Sequence, residues 1–479
     1  MARLPRLLSA ALFSLALSAC SLAPAYHRPE APIPSTYPEG GILNAAAPAP
    51  ADLPSWQDFF RDPVLRRLID TALANNRDLR IALLNIELTR SRYRVQRADL
   101  LPAVSAAGQE DARQVPANLG AMGERVIDRQ YSASLGFASF ELDLFGRVRN
   151  LTEQALETFL SVEEDARTAQ ISLLVEVAGV YLQLVADREL EDITRRTHEA
   201  RREQYLLIQN RFRAGVASDL EVQQARSLME EARSNAARYA TQVGQDENLL
   251  FLLLGAPLPG DLPEVRRLRD VLPLEDVPEG LPSDLLERRP DIRAAEHRLK
   301  GYNANIGAAR ANFFPSISLT GSLGSVSAEF SDLFSSGQHT WNFLPQIRLP
   351  LFDFGRNIAL LDSAETERDI AVATYEKTIQ NAFREVGDAL AQRAQMAEQL
   401  AADAAMTDAA GRGYNLARQR YDAGVDSYLN VLDAERTFYA ARQSYVGSLL
   451  LRESNALTLY KALGGGWSEM RAGGHGPLP

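Results

Sequence analysis

The 479-residue sequence is poor in the residues that build small reactive centres. It has one cysteine, Cys20, and five scattered histidines, His27, His198, His297, His339 and His475. This excludes a disulfide scaffold, a cysteine-based zinc or iron–sulfur centre, and any local histidine cluster with metal-ligand spacing. There is no basic run, and the formal net charge is −11, which argues against a nucleic-acid partner. No Gly-x-Ser-x-Gly elbow, phosphate loop or His-Glu-x-x-His helix occurs; the nearest glycine pair, Gly411-Arg412-Gly413, falls in a helical stretch. Glu296-His297 reads as a solvated helix face rather than a catalytic dyad, and Trp56, Trp341 and Trp467 as packing or interfacial anchors. The residues predict no enzyme. The long apolar run at the N-terminus is too short to span a bilayer, so any crossing must be made by strands.

What is present begins with an address. Arg3 and Arg6 precede the apolar stretch Leu7 to Leu17, which runs into Ser18-Ala19-Cys20. Basic, apolar and small-residue zones in that order are those of a secretory signal, here residues 1–19. The ending is similar to the lipobox of bacterial lipoproteins. That resemblance implies cleavage before Cys20 and diacylglycerol and fatty acyl groups on it, with no other cofactor; the other reading is a buried thiol behind an ordinary signal. By the same resemblance, Ser21 implies sorting to the outer membrane. Each buried methylene adds roughly 0.8 kcal/mol, so several acyl chains would anchor the N-terminus firmly. Residues 20–62, rich in Pro and Ala, read as a lipidated extended tether.

The rest of the chain is one unit written twice. Arg77-Asp78-Leu79-Arg80-Ile81-Ala82 recurs as Pro290-Asp291-Ile292-Arg293-Ala294-Ala295, and Leu101-Pro102 as Phe314-Pro315, both at an offset of 213. Leu144-Phe145-Gly146-Arg147 recurs as Asp353-Phe354-Gly355-Arg356 at 209. Arg211-Phe212-Arg213-Ala214-Gly215-Val216 recurs as Arg420-Tyr421-Asp422-Ala423-Gly424-Val425, and Leu254-Gly255 as Leu463-Gly464, also at 209. The single change of offset predicts a variable loop between the proline and Phe-Gly-Arg markers. The boundaries drawn are 63–270 for the first repeat, 271–467 for the second and 468–479 for a flexible tail.

Within each repeat the hydrophobic period switches. Residues 63–100 and 283–312 carry apolar side chains at helical spacing and are closed by Pro102 and Pro315. Beyond the prolines the period is two: Ile317, Leu319 and Leu323 alternate with Ser318, Thr320 and Ser322, and similar alternation covers 131–139 and 340–351. The segment after Pro102 (Val104, Ala106, Gly108) is the weakest strand. One apolar and one Ser/Thr-rich face suits a lipid-facing barrel strand, and equally a hairpin over a soluble core. Then come two proline-free stretches, Arg147 to about Asn210 and Arg356 to about Gln419. Helices of that length reach roughly 95 Å and belong to coiled coils. Each turns at Ala-Gly-Val and returns over half the length, near 218–254 and 427–463. The height left over matches the helix that opens each repeat, so each repeat makes one long and one composite column.

Four strands cannot close a barrel, and an open edge is prohibitive in lipid, so strands that span demand an oligomer. Two chains give an eight-stranded barrel that side chains fill. Three give twelve strands and twelve helical columns; at about 10 Å between axes the ring is about 38 Å across, with a bore near 28 Å.

The lipobox, the doubled plan and several strings resemble one family. The strings are Glu141-Leu142-Asp143-Leu144-Phe145-Gly146-Arg147, Gly307-Ala308-Ala309-Arg310-Ala311 running into Phe313-Phe314-Pro315-Ser316-Ile317-Ser318-Leu319, and Tyr460-Lys461-Ala462-Leu463-Gly464-Gly465-Gly466-Trp467. From Tyr26 to Trp467 the chain resembles the TolC-like outer membrane factors, in their OprM/NodT-like lipoprotein branch. The resemblance implies a mainly α homotrimer with a small transmembrane β part: a twelve-stranded outer-membrane barrel, four strands per chain, continuing into a twelve-column periplasmic α-barrel. It implies the exit duct of a tripartite pump, docked to a periplasmic adaptor and an inner-membrane RND-type transporter, often for drug efflux. It also implies a gate, with Leu429 and Asp433 facing the axis and Arg420 and Tyr421 joining neighbouring columns. The copy-one counterparts of Asp433 and Tyr428 are Gln224 and Asp219, so the acidic ring need not be doubled. The tips Ala214-Gly215-Val216 and Ala423-Gly424-Val425 are the expected adaptor contacts. The rival reading is a lipid-anchored periplasmic coiled-coil scaffold or adaptor without a pore.

Overall fold

The computed structural model describes residues 21–34, 54–118, 125–260, 267–271, 274 and 289–465. Cys20, the signal segment and the tail lie outside these residues. The plan helix, strand, strand, long helix, return helix occurs twice: α2 (Pro63–Asn75) with α3 (Arg77–Ala98), β1 (Val104–Val115), β2 (Val126–Leu142), α4 (Arg147–Arg213) and α5 (Asp219–Leu254), then α6 (Pro290–Ala311), β3 (Ser316–Ser327), β4 (His339–Arg348), α7 (Arg356–Asp422) and α8 (Tyr428–Ala462). A one-turn helix, α1 (Trp56–Phe59), precedes them. Of the described residues, 21–30, Asn85–Glu163 and Ala294–Glu376 form one compact unit; 31–84, Glu164–Arg293 and the residues from Lys377 onward form a second.

The first unit holds an antiparallel sheet in the order β1-β2-β3-β4. The register places Ala106, Leu135, Leu323 and Trp341 in one row and Val104, Phe137, Gly321 and Phe343 in the next. These apolar rows share a face, and Leu135, Leu323, Trp341 and Phe343 are all exposed. Between Phe137 and Phe140 the register shifts by one residue, with Ser139 at φ 54° and its N–H donating to Thr320 Oγ1. Without that bulge Phe140 and Leu142 would turn to the polar face; with it they stay beside Leu319 and Ile317. The extra length of the first repeat lies here, and not in a loop as expected: the connections 116–125 and 328–338 nearly match, whereas β2 has 17 residues and β4 has 10.

The same unit seats residues 21–30 along α6. Ser21 donates to Asn150, Asn303 donates to the Pro24 carbonyl at 2.8 Å, and Arg28 pairs with Glu296 at 2.6 Å. Lys300 shares Glu296, while His297 sits 2.6 Å from Glu157. Glu296 is buried, so Glu296-His297 is neither a solvated face nor a dyad: each has its own partner.

In the second unit α1 and α2 bury Phe59, Phe60, Leu65, Leu68 and Ile69, and Phe59 stacks on Tyr460 at 4.0 Å between centroids. The opening helix is not continuous from 63 to 100. It breaks at Asn76, whose Oδ1 caps α3 by accepting from the Leu79 N–H, while its Nδ2 donates to the Leu253 carbonyl. The last carbonyls of α5 thus meet the first donors of α3, which makes a composite column. The second repeat solves the same junction differently: Arg289, just before α6, donates to the Ala462 carbonyl at the end of α8. The long helices α4 and α7 each have 67 residues, about 100 Å at 1.5 Å per residue. One window of α4 is apolar enough to cross a membrane by length and composition alone. Within the helix Leu174, Val177, Ala178, Leu182 and Val185 are buried, so this stretch serves as core of the second unit.

Candidate functional site

Both helical reversals belong to the second unit and use one device. Gly215 and Gly424 have φ of 76° and 72°, a conformation open to glycine because it has no Cβ. The N–H groups of Val216 and Val425 donate back to the Arg211 and Arg420 carbonyls at 2.9 Å, and those of Gly215 and Gly424 to Phe212 and Tyr421. This Schellman arrangement satisfies the last carbonyls of α4 and α7. It leaves Val216 and Val425 projecting, 63 % and 64 % exposed. The returns start unequally: Ser218 and Glu221 close a reciprocal capping box, whereas Ser427 makes no side-chain cap.

Behind the turns the two hairpins share one apolar cluster, in which Ile208, Val222 and Ala225 of the first repeat meet Tyr428, Val431 and Leu432 of the second. Tyr421 packs on this cluster and on Tyr428, and burial raises the Tyr428 pKa. The Tyr421 hydroxyl accepts from Arg211 Nη1, and the Arg211 guanidinium lies 5.3 Å from the Tyr421 ring centre. Tyr421 therefore links α7 to α4 of the first repeat. Arg420 does not link columns within the chain: its Nε is 2.5 Å from Asp426 in its own turn. That hydrogen bond raises the Arg420 pKa and lowers that of Asp426, keeping both charged. Leu429 and Asp433 are exposed on the first turns of α8, and Asp433 meets Arg436 at 3.1 Å.

Nearly three turns back along α4 from Arg211 lies a link that spacing alone did not reveal. Arg201 of α4 donates to Glu435 of α8 at 2.8 Å and to the Leu228 carbonyl of α5, stands 3.2 Å from Glu231, and lies over the Tyr439 ring. The repeat offset pairs Arg211 with Arg420 and so could have flagged Arg211. It pairs Arg201 with Ala410, so nothing flagged Arg201.

A pore wall is the use to which this fold is put elsewhere. The family model for outer membrane efflux proteins matches residues 68–256 and 281–465. The outer membrane protein TtgC of a probable efflux pump in Pseudomonas putida is 50% identical over 465 residues, covering 97% of this chain and 96% of that one. Outer membrane protein OprJ of Pseudomonas aeruginosa is 44% identical, with 97% and 96% covered. Among solved structures, the open state of the Neisseria gonorrhoeae MtrE outer membrane channel superposes with a TM-score of 0.84 at 37% identity, covering 93% of this chain and 98% of that one. The Campylobacter jejuni CmeC outer membrane channel gives 0.86 at 26%, with 94% and 96% covered. The fold defines an outer-membrane channel, mainly helical with a four-stranded sheet in each chain. The chain belongs to the outer membrane efflux protein family. It resides in the bacterial outer membrane and serves efflux as a channel, so the poreless scaffold reading is set aside. Channels of this kind are trimers that work with pumps.

Proposed function

We propose that three copies form the exit duct of a tripartite pump, fed by an RND-type inner-membrane transporter through a periplasmic adaptor, and that the helical turns form its gate. The observation that carries the duct is the sheet: four strands with an exposed apolar face and open edges at β1 and β4. Three such sheets would close twelve strands, abolishing the edges that lipid does not tolerate. Tyr421 and Arg420 hold the closed tip, Leu429 and Asp433 narrow it, and the two Ala-Gly-Val turns meet the adaptor. Three Asp433 carboxylates around one axis would favour cations over anions. Relatives described as antibiotic and toluene efflux pump proteins support small, largely apolar molecules as the cargo. Acyl groups on Cys20 would add an anchor beside the barrel. The test is reconstitution: purified protein in a planar bilayer should give cation-preferring steps of uniform, low conductance. A preparation that inserts as monomers, or gives no steps, would sink the proposal.

A further inference from the structure

We propose that the second unit carries a binding site for a small phosphate monoester with an apolar body, in a cavity beside the turn Leu268–Asp270. The cavity encloses about 850 Å³, within the range of small-molecule sites. Among the described residues, six guanidinium groups line it, from Arg188, Arg195, Arg196, Arg267, Arg269 and Arg442. Three described carboxylates oppose them, from Glu189, Glu191 and Asp192, so the described lining is cationic in a chain whose net charge is −11.

Two of the three acids are already engaged. Asp192 takes Arg195 and Arg196 at 2.7 and 2.9 Å. Glu189 accepts from the Leu268 N–H at 2.8 Å, which holds the turn that presents Arg267 and Arg269. Arg188 is bound by Glu247, outside the cavity, at 2.7 Å. Arg442 stands apart: it has no hydrogen bond or ion pair with a described residue, and its guanidinium rests 5.7 Å from the centre of the Phe438 ring. One face is thus covered, while the N–H edge stays available. Arg267 likewise has no ion pair with a described residue. Burial holds the Arg442 pKa down, and Arg196 and Arg267 push the same way against the pull of Glu189 and Asp192. A half-buried guanidinium beside like charges is completed by an anion, and its planar fork suits the paired oxygens of a phosphate. Ile193, Val243, Val446 and the Tyr445 ring supply an apolar wall for the body of such a ligand.

The proposal concerns this unit alone and does not depend on the pump reading. It is tested by calorimetric titration of the full protein, assembled in detergent at fixed ionic strength, with phenyl phosphate. Inorganic phosphate, benzyl alcohol and vesicles of phosphatidylglycerol serve as separate arms. Saturable binding of phenyl phosphate is expected, tighter than that of inorganic phosphate, with none for the alcohol or the vesicles. Arg442→Ala and Arg267→Ala should each weaken it about tenfold or more. Arg442→Lys should give an intermediate affinity, and Arg412→Ala, on another stretch of α7, should change nothing. Binding that survives Arg442→Ala in folded protein, that falls equally in Arg412→Ala, or that is seen only with vesicles would overturn the proposal. Should the alanine variant not fold, full affinity in Arg442→Lys overturns it in the same way.

Discussion

The Arg201 guanidinium, only 2% exposed, lies 2.8 Å from Glu435, a residue 234 positions further along the chain. It ties the first repeat to the second just behind the turns. The pair is not fully satisfied, because Arg201 Nη2 and Glu435 Oε2 are buried without hydrogen-bond partners. Removing one member of a buried pair strands the other, at a cost of about 3–5 kcal/mol, whereas replacing both by apolar residues is often neutral. Glu435→Ala should therefore lower the thermal transition markedly, and Arg201→Met with Glu435→Leu should restore most of it. Circular dichroism melts in detergent decide; an unchanged single variant would remove the pair from the list of structural links.

Tyr421→Phe deletes the hydroxyl that accepts from Arg211 and leaves the ring on its cluster. A hydrogen bond worth about 1 kcal/mol corresponds to roughly a fivefold change in the closed-to-open ratio. Single-channel conductance or open probability should rise, and Asp433→Ala should raise it too while reducing cation preference. Conductance identical to the parent in both variants would exclude these side chains from the constriction.

Asp246 offers a pH handle. Burial, then hydrogen bonding and repulsion by Asp187, push its carboxyl up to about 6. An acid whose pKa is raised in the folded state stabilises that state while protonated and loses the contribution as the pH rises through the folded value. Stability should fall as the pH rises from about 4 to 6 for this group, and Asp246→Asn should flatten that slope and raise the transition at pH 8. A parent protein whose melting temperature climbs across that window, with the variant following in parallel, would contradict the assignment.

Val216 and Val425 project from the two reversals. Cysteine at either position should crosslink to a co-expressed periplasmic adaptor, whereas cysteine at Arg384, an exposed site on α7, should not. A clean negative at both turns would leave the adaptor to another surface.

Cys20→Ser should abolish incorporation of labelled palmitate and leave the helical content of purified protein unchanged. Label retained in the variant would place the acyl groups elsewhere.

The strongest sequence signals were local ones. A 3.6-residue period, absence of proline, and glycine at the right spot recur within a few turns, so the four long and return helices and both reversals could be read directly, and the duplication made them doubly visible. The sheet was half legible. Alternation marked β2, β3 and β4, but Val104, Ala106 and Gly108 barely did, because β1 gains its identity from pairing with β2. The bulge at Ser139 was hidden for the same reason: register belongs to two strands at once.

Contacts between distant segments lay wholly beyond the reading. Arg211 with Tyr421, Arg201 with Glu435, and Arg28 with Glu296 join residues more than two hundred positions apart. Their partnership depends on which helix faces lie side by side, and periodicity identifies a face without naming what covers it. The amino-acid order determined the elements, their doubling and their amphipathic faces, because those follow from each residue and its near neighbours. Only the tertiary arrangement decided which charges are buried together, which stay open to solvent and where the junctions between helices fall, because those depend on desolvation and distance in three dimensions.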